Sequence, residues 1–166
     1  MIPTRRYVSF ALFVVLACGW AGPVEAEDVA GVYLVQDGEA HIELRPCGEE
    51  LCGRIVWLRE PLDEEGRVPR DDNNPDPSLR DRTILGLEIL SGLKPAPGTD
   101  GQWTGGSIYD PESGRTYRCK LRHDGGDLVR LRGYLGFSLL GRTTRWTRVS
   151  ATSAGVAIPS TAADSE

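Results

Sequence analysis

The most constraining feature of this sequence is a period of two in the side chains, repeated in short runs. Apolar positions alternate with basic ones in TYRCKL (116–121) and again in LVRLRGY (128–134), and the turn HDGGD separates the two runs. Such alternation is typical of a β-strand with one face in a core and the other in water. About eight strands of this kind, with no convincing long helix, predict an all-β antiparallel barrel or sandwich. The predicted strands are residues 32–35, 39–46, 53–58, 84–91, 102–108, 116–121, 128–134 and 142–149.

The segment 59–82 interrupts this pattern because it is too long for a hairpin connection. We expect it to carry one short helix near Pro77 to Arg82 and to cover one end of the barrel. Its Asp72-x-Asn74-x-Asp76 spacing resembles the beginning of a calcium loop, but the glycine and the distal glutamate of an EF-hand are missing. Asn and Asp beside proline are more often turn and cap residues. No metal site is therefore assigned to residues 71–76, whose role stays open, and no cofactor is expected.

Residues 1–26 have the features of an export signal. Arg5 and Arg6 precede an apolar run, and the small residues of Val24-Glu25-Ala26 suit cleavage after Ala26. The run is shorter than the about 20 residues of a transmembrane helix, so no membrane span is expected. The alternative is a lipoprotein, in which Cys18 of the lipobox-like sequence VLAC is lipidated and becomes a membrane anchor. In both cases the sequence predicts a periplasmic or secreted protein.

The remaining chain is predicted to be one barrel domain, residues 27–149, followed by a disordered tail, residues 150–166. The whole chain carries 19 basic and 24 acidic residues; removing residues 1–26 leaves 17 and 23, a net charge of −6. Basic and acidic residues are interspersed along the strands. This pattern argues against a nucleic-acid partner or an anionic membrane surface.

Cys47 and Cys52 in CGEELCG are predicted to form a disulfide, because paired cysteines of an exported chain are usually oxidised. A metal site would need two further ligands, and the chain offers His41, His123 and no second close cysteine pair. The C-x4-C spacing also differs from the C-x-x-C of redox enzymes. The function of this motif is therefore structural.

The alternation on either side of the two cysteines predicts a hairpin. We expect Leu44 to lie opposite Ile55, and Ile42 to lie opposite Trp57, across a four-residue turn. The cysteines then lie on the polar outer face, where the bridge fixes the register of the two strands.

Four stretches of the chain resemble the small exported bacterial proteins of the domain of unknown function 2147 family. They are GVYLVQDGEAHIELRPCGEELCGRIVWL, DDNNPDPSLRDRTILGLEIL, WTGGSIYDPESGRTYRCKL and LRGYLGFSLLGRTTRWTRV. The resemblance covers residues 30–149. It implies an eight-stranded, lipocalin-like, calycin-type β-barrel, exported to the periplasm, that binds small apolar molecules and has no reaction attached to it.

The same resemblance implies a closed barrel floor. Gly31-x-Tyr33 is similar to the G-x-W signature of lipocalin-like barrels, whose aromatic ring is covered by an arginine from the last strand. Gly31 and Tyr33, with Arg145 or Arg148, are therefore the candidate barrel-closing residues. Tyrosine in place of tryptophan keeps the cation-π contact in a weaker form. In the alternative, Tyr33 is an ordinary core residue and both arginines are solvated.

Apolar positions on the inner faces of the strands supply the candidate ligand-binding residues. In a barrel of eight strands such residues either line a site for one small ligand or fill the interior as a packed core. The candidates are Ile42, Leu44, Ile55, Trp57, Trp103, Tyr117, Leu131 and Trp146.

Two hypotheses of function follow. In the first, the protein carries a small hydrophobic or amphipathic ligand in a barrel mouth partly covered by residues 59–82. In the second, it is a cell-envelope structural or interaction module without a small ligand. Such a module would use an exposed patch in YLGFSLL (134–140), a segment otherwise expected to be a buried closure. The sequence contains no G-x-S-x-G, H-E-x-x-H or phosphate-binding loop, so no catalytic residue is assigned and no enzymatic activity is expected.

Overall fold

A computed structural model describes residues 29–137, 139 and 141–149. Within them, eight antiparallel strands form one closed barrel, in which each strand pairs with the next and β8 returns to β1. The strands are β1 (Gly31–Leu34), β2 (Ala40–Cys47), β3 (Glu50–Leu58), β4 (Glu88–Pro95), β5 (Gln102–Asp110), β6 (Arg115–His123), β7 (Leu128–Tyr134) and β8 (Gly141–Arg148). The predicted fold is confirmed as a barrel and not a sandwich.

The predicted export signal, the lipidation site Cys18 and the tail 150–166 lie outside the described residues. Across the ranges that are described, no helix has both the length and the apolar character needed to span a bilayer. The helix expected near Pro77 is a short 3-10 helix, Pro77–Leu79, and Asp76 caps it by accepting a hydrogen bond from the Ser78 N–H.

Alternation produces the core, because every second side chain of a strand points into the barrel. Fourteen buried apolar residues form one cluster that draws on all eight strands. They are Val29, Tyr33, Ile42, Leu44, Leu51, Ile55, Leu90, Leu93, Trp103, Cys119, Leu121, Val129, Leu131 and Trp146.

The antiparallel order gives the barrel two different ends. The connections β1–β2, β3–β4, β5–β6 and β7–β8 lie at what we call the upper end. The other three connections lie at the lower end, together with the points at which the described chain enters β1 and leaves β8. The long segment 59–87 is therefore an upper-end feature.

The register of the β2–β3 hairpin differs from the predicted one. Cys47 pairs with Glu50 across a two-residue turn, so Ile55 lies opposite Ile42 and not opposite Leu44. Gly48, at a φ of 74°, supplies the left-handed backbone that this tight turn needs. The disulfide between Cys47 and Cys52 is confirmed, with a Cα–Cα distance of 5.9 Å, and it joins the strands diagonally.

An irregularity in the pairing between β2 and β3 moves Trp57 to the other face of the sheet. The register shifts between His41 and Ile42, so Trp57 pairs with His41 instead of Ile42. The two rings stack with their centres 4.4 Å apart. The predicted inward position of Trp57 is therefore wrong, because one extra residue in a strand reverses the faces beyond it.

The fourth strand begins later than predicted. Residues 84–87 form a turn in which the Leu87 N–H donates to the Ile84 carbonyl. Gly86, at a φ of 89°, has the left-handed conformation that ends extended structure here. The predicted strand begins too early because the apolar residues of this turn resemble those of a strand.

Hydrogen bonds hold the polar segment 71–76 against the barrel. The Asp71 carboxylate is fully buried and accepts hydrogen bonds from the Tyr109 hydroxyl at 2.5 Å, Arg82 at 2.6 Å and the Asn74 amide at 2.8 Å. The Asn73 amide donates to the Glu112 carbonyl in the β5–β6 turn at 2.8 Å. Within the described ranges no group of three or more His, Cys, Asp or Glu side chains is placed to hold a metal ion.

Candidate ligand site in the barrel mouth

The upper end contains an open cavity of about 360 Å³. Its walls come from β5, β6, β7 and β8. Gly133 occupies an inner position of β7 at which a larger residue would fill the space. The cavity is lined by Ile108, Asp110, Tyr117, Leu131, Gly133, Tyr134, Leu135, Arg142 and Thr144.

The cavity combines apolar walls with a polar margin. Ile108, Tyr117 and Leu131 give the apolar surface, while Arg142 and Thr144 supply hydrogen-bond donors. Arg142 forms no ion pair within the part of the chain that the structure describes. Such a site can hold an apolar group and one polar or anionic end.

A third polar side chain of the cavity, that of Asp110, already has hydrogen-bond partners. The Asp110 carboxylate accepts hydrogen bonds from the Ser113 hydroxyl at 2.6 Å and from the Glu112 N–H at 3.1 Å. Both bonds hold the β5–β6 turn in place. Asp110 therefore serves the turn, and among the described residues no carboxylate lies within ion-pair distance of Arg142.

Two of the eight predicted ligand-binding residues, Tyr117 and Leu131, line this cavity. Trp57 lies on the outer face. The other five are buried in the core cluster and do not line the cavity: Ile42, Leu44, Ile55, Trp103 and Trp146. Sequence reasoning missed Ile108, Gly133, Arg142 and Thr144. The alternation in β7 and β8, followed to the upper ends of these strands, places Gly133, Arg142 and Thr144 on the inner face. Ile108 could not be found in this way, because a register shift between Trp103 and Gly106 reverses the faces of β5.

The lower end of the barrel is closed by side chains. The guanidinium carbon of Arg148 lies 4.9 Å from the centre of the Tyr33 ring, and Arg148 also donates to the Ala30 carbonyl at 2.5 Å. The Tyr33 hydroxyl donates to the Val29 carbonyl at 2.9 Å. A Cβ at Gly31 would lie 2.2 Å from Arg148 Nη1, so a side chain at this position would displace the guanidinium.

Arg145, the other arginine considered for the floor, acts differently. Its side chain is exposed on the outer face, where it lies opposite Arg130. Its backbone N–H donates to the side-chain oxygen of Gln36 at 3.0 Å. Arg145 therefore contributes to the junction of β8 with the β1–β2 turn and makes no contact with Tyr33.

Cys119 is a buried free thiol on the inner face of β6. Burial raises the pKa of this thiol to about 12. Since the thiolate is the reactive form of cysteine, Cys119 is a core residue and not a nucleophile.

Three described side chains of the β7–β8 connection are exposed, contrary to the expected closure. Leu135, Phe137 and Leu139 are 57%, 79% and 89% exposed, and we call these three residues the lip. Leu135 also lines the cavity, so the lip continues the apolar wall into solvent. Hydrophobicity alone does not tell a turn that folds over a barrel end from one that extends away from it.

The charges are also distributed differently from the expectation. The outer faces of β6, β7 and β8 bring six basic side chains together, and we call this surface the basic face. It consists of Arg118, Lys120, Arg122, Arg130, Arg132 and Arg145. In the sequence, the basic residues of this face alternate with other residues in RCKLR and RLR, so they do not form a run. Strand pairing brings them together into one surface.

Among solved structures, protein HP1028 from the human pathogen Helicobacter pylori, described as belonging to the lipocalin family, is similar with a TM-score of 0.65. The two sequences are 22% identical over 78% of this chain and 86% of that chain, so the likeness shows the fold alone. No curated protein matches the chain. The family model described as "Uncharacterized protein conserved in bacteria (DUF2147)" matches residues 31–148, nearly the whole barrel, and the chain therefore belongs to this family.

Proposed function

We propose that this chain is an exported, lipocalin-like protein that binds a small hydrophobic or amphipathic ligand in the mouth of its barrel. The observation that carries the proposal is the cavity of about 360 Å³ at the upper end. Its size lies within the about 300–1,000 Å³ of small-molecule sites. The Cys47–Cys52 disulfide and the signal-like residues 1–26 support export. The proposal assigns no reaction.

The lining suggests how the ligand lies. Its apolar part packs against Ile108, Tyr117 and Leu131, and its polar end reaches the Arg142 guanidinium or the Thr144 hydroxyl. The closed floor at Tyr33 and Arg148 limits how deep it enters. The other predicted core residues support this wall without touching the ligand.

The test is a substitution that fills the cavity. A Cβ built at Gly133 lies 3.7 Å from Ile108 and 3.8 Å from Tyr117, which are ordinary contact distances, so Gly133→Leu places its side chain in the site without a backbone clash. The matched control is Thr147→Leu, which adds a leucine to the exposed outer face of β8. Both variants are compared with the unchanged protein by native mass spectrometry after recovery from the periplasm, and by titration with a fluorescent apolar probe.

We expect the unchanged protein and Thr147→Leu to bind one probe molecule with equal affinity, and Gly133→Leu to bind at least about tenfold more weakly, the effect of roughly 1.4 kcal/mol of lost contacts. Equal affinity in all three proteins would contradict the proposed site. The intact mass also shows whether the chain is cleaved after Ala26 or lipidated at Cys18.

The exposed lip favours a second candidate function, an envelope interaction module that needs no small ligand. Three large apolar side chains in one connection are the kind of surface that marks a binding partner. If Phe137→Ser removes an envelope interaction while Gly133→Leu leaves it unchanged, this second function is favoured.

A further inference from the structure

The basic face is the most unusual feature of the outer surface. It places like charges opposite one another in three cross-strand pairs: Lys120 with Arg132, Arg122 with Arg130, and Arg130 with Arg145. Like charges in directly opposite positions destabilise a sheet. The whole chain nevertheless has a net charge of −5, so the charge of this surface is opposite in sign to that of the protein as a whole.

One acidic side chain, Asp124, compensates the basic face at one end. Asp124 forms ion pairs with Arg122 and Arg130 near the lower end. A groove of about 200 Å³ on the face is lined by both of these arginines and by Lys120 and Arg132. The cations towards the upper end, including the exposed Arg118, lie beside the lip.

The lip connects two of the three strands that carry the basic face. Arg118 pairs with Tyr134, the last residue of β7, and the chain then enters the lip directly. Strands β6 to β8 therefore present one continuous surface, which is cationic along the wall and apolar at the tip. This order of charges and apolar side chains matches a bilayer, in which phosphate groups lie above a hydrocarbon interior.

We propose that this surface docks the protein onto an anionic lipid surface. The basic face contacts lipid phosphates, and Phe137 and Leu139 insert beside the headgroups. The lip favours a lipid surface over a soluble polyanion such as nucleic acid as the partner. Exposed aliphatic and aromatic side chains can enter a bilayer, but they gain nothing from a phosphate polymer in water. The proposal stands independently of a ligand in the cavity.

The test measures partition onto vesicles. The protein is recovered from the periplasm with its signal removed and with Cys18→Ser in all variants, so that no lipid anchor supplies the affinity. Vesicles of phosphatidylcholine alone are compared with vesicles containing equal parts of phosphatidylcholine and phosphatidylglycerol, at low and high salt. We expect binding to the anionic vesicles that weakens as salt is raised.

Three variants locate the surface. Arg118→Gln, Lys120→Gln and Arg145→Gln together should lower the partition coefficient about a hundredfold, at about fivefold for each charge. The matched control, Arg45→Gln, Arg54→Gln and Arg59→Gln together, removes three positive charges on and beside β2 and β3, on the opposite side of the closed barrel. It should leave binding nearly unchanged. Phe137→Ser with Leu139→Ser should weaken vesicle binding while leaving the salt dependence in place.

Three results would overturn the proposal. The first is no preference for the anionic vesicles. The second is an equal loss in the two triple variants, which would reduce the effect to net charge. The third is binding to double-stranded DNA that equals vesicle binding and is unaffected by the two serine substitutions, since this would identify a site for soluble polyanions.

Discussion

Asp71 shows how one residue can explain a polar motif. Burial tends to raise the pKa of this carboxyl, but the hydrogen bonds from Tyr109, Arg82 and Asn74 outweigh burial and hold the pKa below its ordinary value. The carboxylate is therefore charged in the folded protein. Its bonds tie the segment 71–82 to β5, the strand that supplies one wall of the cavity.

Asp71→Asn should lower the free energy of unfolding by about 2 kcal/mol, because it replaces charge-assisted hydrogen bonds by neutral ones at a buried position. The measurement is urea denaturation at neutral pH. Asp72→Asn is the control, since Asp72 is the exposed neighbour, and it should change the stability by less than about 0.5 kcal/mol.

The same pair of variants gives a pH dependence with a defined sign. The folded-state pKa of Asp71 is lower than the value of about 3.9 in an unfolded chain, so its contribution is complete above about pH 4 and is lost as the pH falls through the folded-state pKa. The stability difference between the unchanged protein and Asp71→Asn should shrink below pH 4. If it stays constant to about pH 2, the carboxylate charge is not what holds the segment.

For single residues, prediction from the sequence succeeds where the residue type has one structural role, as paired cysteines do. The pairing of Cys47 with Cys52 is confirmed. Trp57 could not be placed, because its face depends on a register irregularity between β2 and β3. Arg145 could be placed, since alternation from the buried Trp146 puts Arg145 on the outer face and Arg148 on the inner one. Asp71 could not be separated from Asp72, since burial decides between them.

Among the elements, the contact between the segment 59–87 and the β5–β6 turn depends on one glycine. Gly114 has a φ of 66°, and a Cβ there would lie 1.9 Å from the Asn73 carbonyl oxygen. Both strands of that turn continue into the cavity wall. The approach of the two backbones therefore fixes the segment beside the mouth.

Gly114→Ala should destabilise the protein by about 3 kcal/mol, of which about 1 kcal/mol is the cost of a side chain at a positive φ and the rest is the clash. Gly125→Ala is a matched control: its φ is 89° and a Cβ there meets nothing within 4 Å, so it carries the backbone cost alone. Thermal unfolding of both variants measures the difference. Equal losses of stability would show that the Asn73 contact is unimportant.

Strand existence and order follow from the period of two, and all eight strands are found in the predicted order. Strand limits fail where apolar turns imitate strands, as at residues 84–87. The prediction that the lip is buried was wrong for the same reason, because YLGFSLL has the composition of a buried segment. The basic face was not predicted, because its residues come together only when β6, β7 and β8 pair.

For the whole molecule, closure of the barrel depends on a short seam. β1 and β8 pair through two residue pairs, Tyr33 with Arg148 and Leu34 with Thr147. Beyond these pairs the Gln36 side chain accepts the Arg145 N–H and extends the seam towards the upper end. A side chain thus takes the place of a strand neighbour.

Gln36→Ala should therefore accelerate hydrogen exchange of the Arg145 amide about fivefold, the equivalent of about 1 kcal/mol for one hydrogen bond. The Thr147 amide, in the paired part of the seam, serves as the internal reference and should keep its rate. Exchange followed by NMR measures both. An unchanged Arg145 rate would mean that the barrel is closed without help from Gln36.

The entry and exit of the barrel also give the molecule a direction. The described chain begins at Val29 beside Tyr33 and ends at Val149, whose N–H donates to the Val32 carbonyl at 2.8 Å, so both chain ends leave from the floor. The mouth and the lip lie at the opposite pole. An attachment made at either end of the described barrel would therefore hold it by the floor and leave the mouth open to solution.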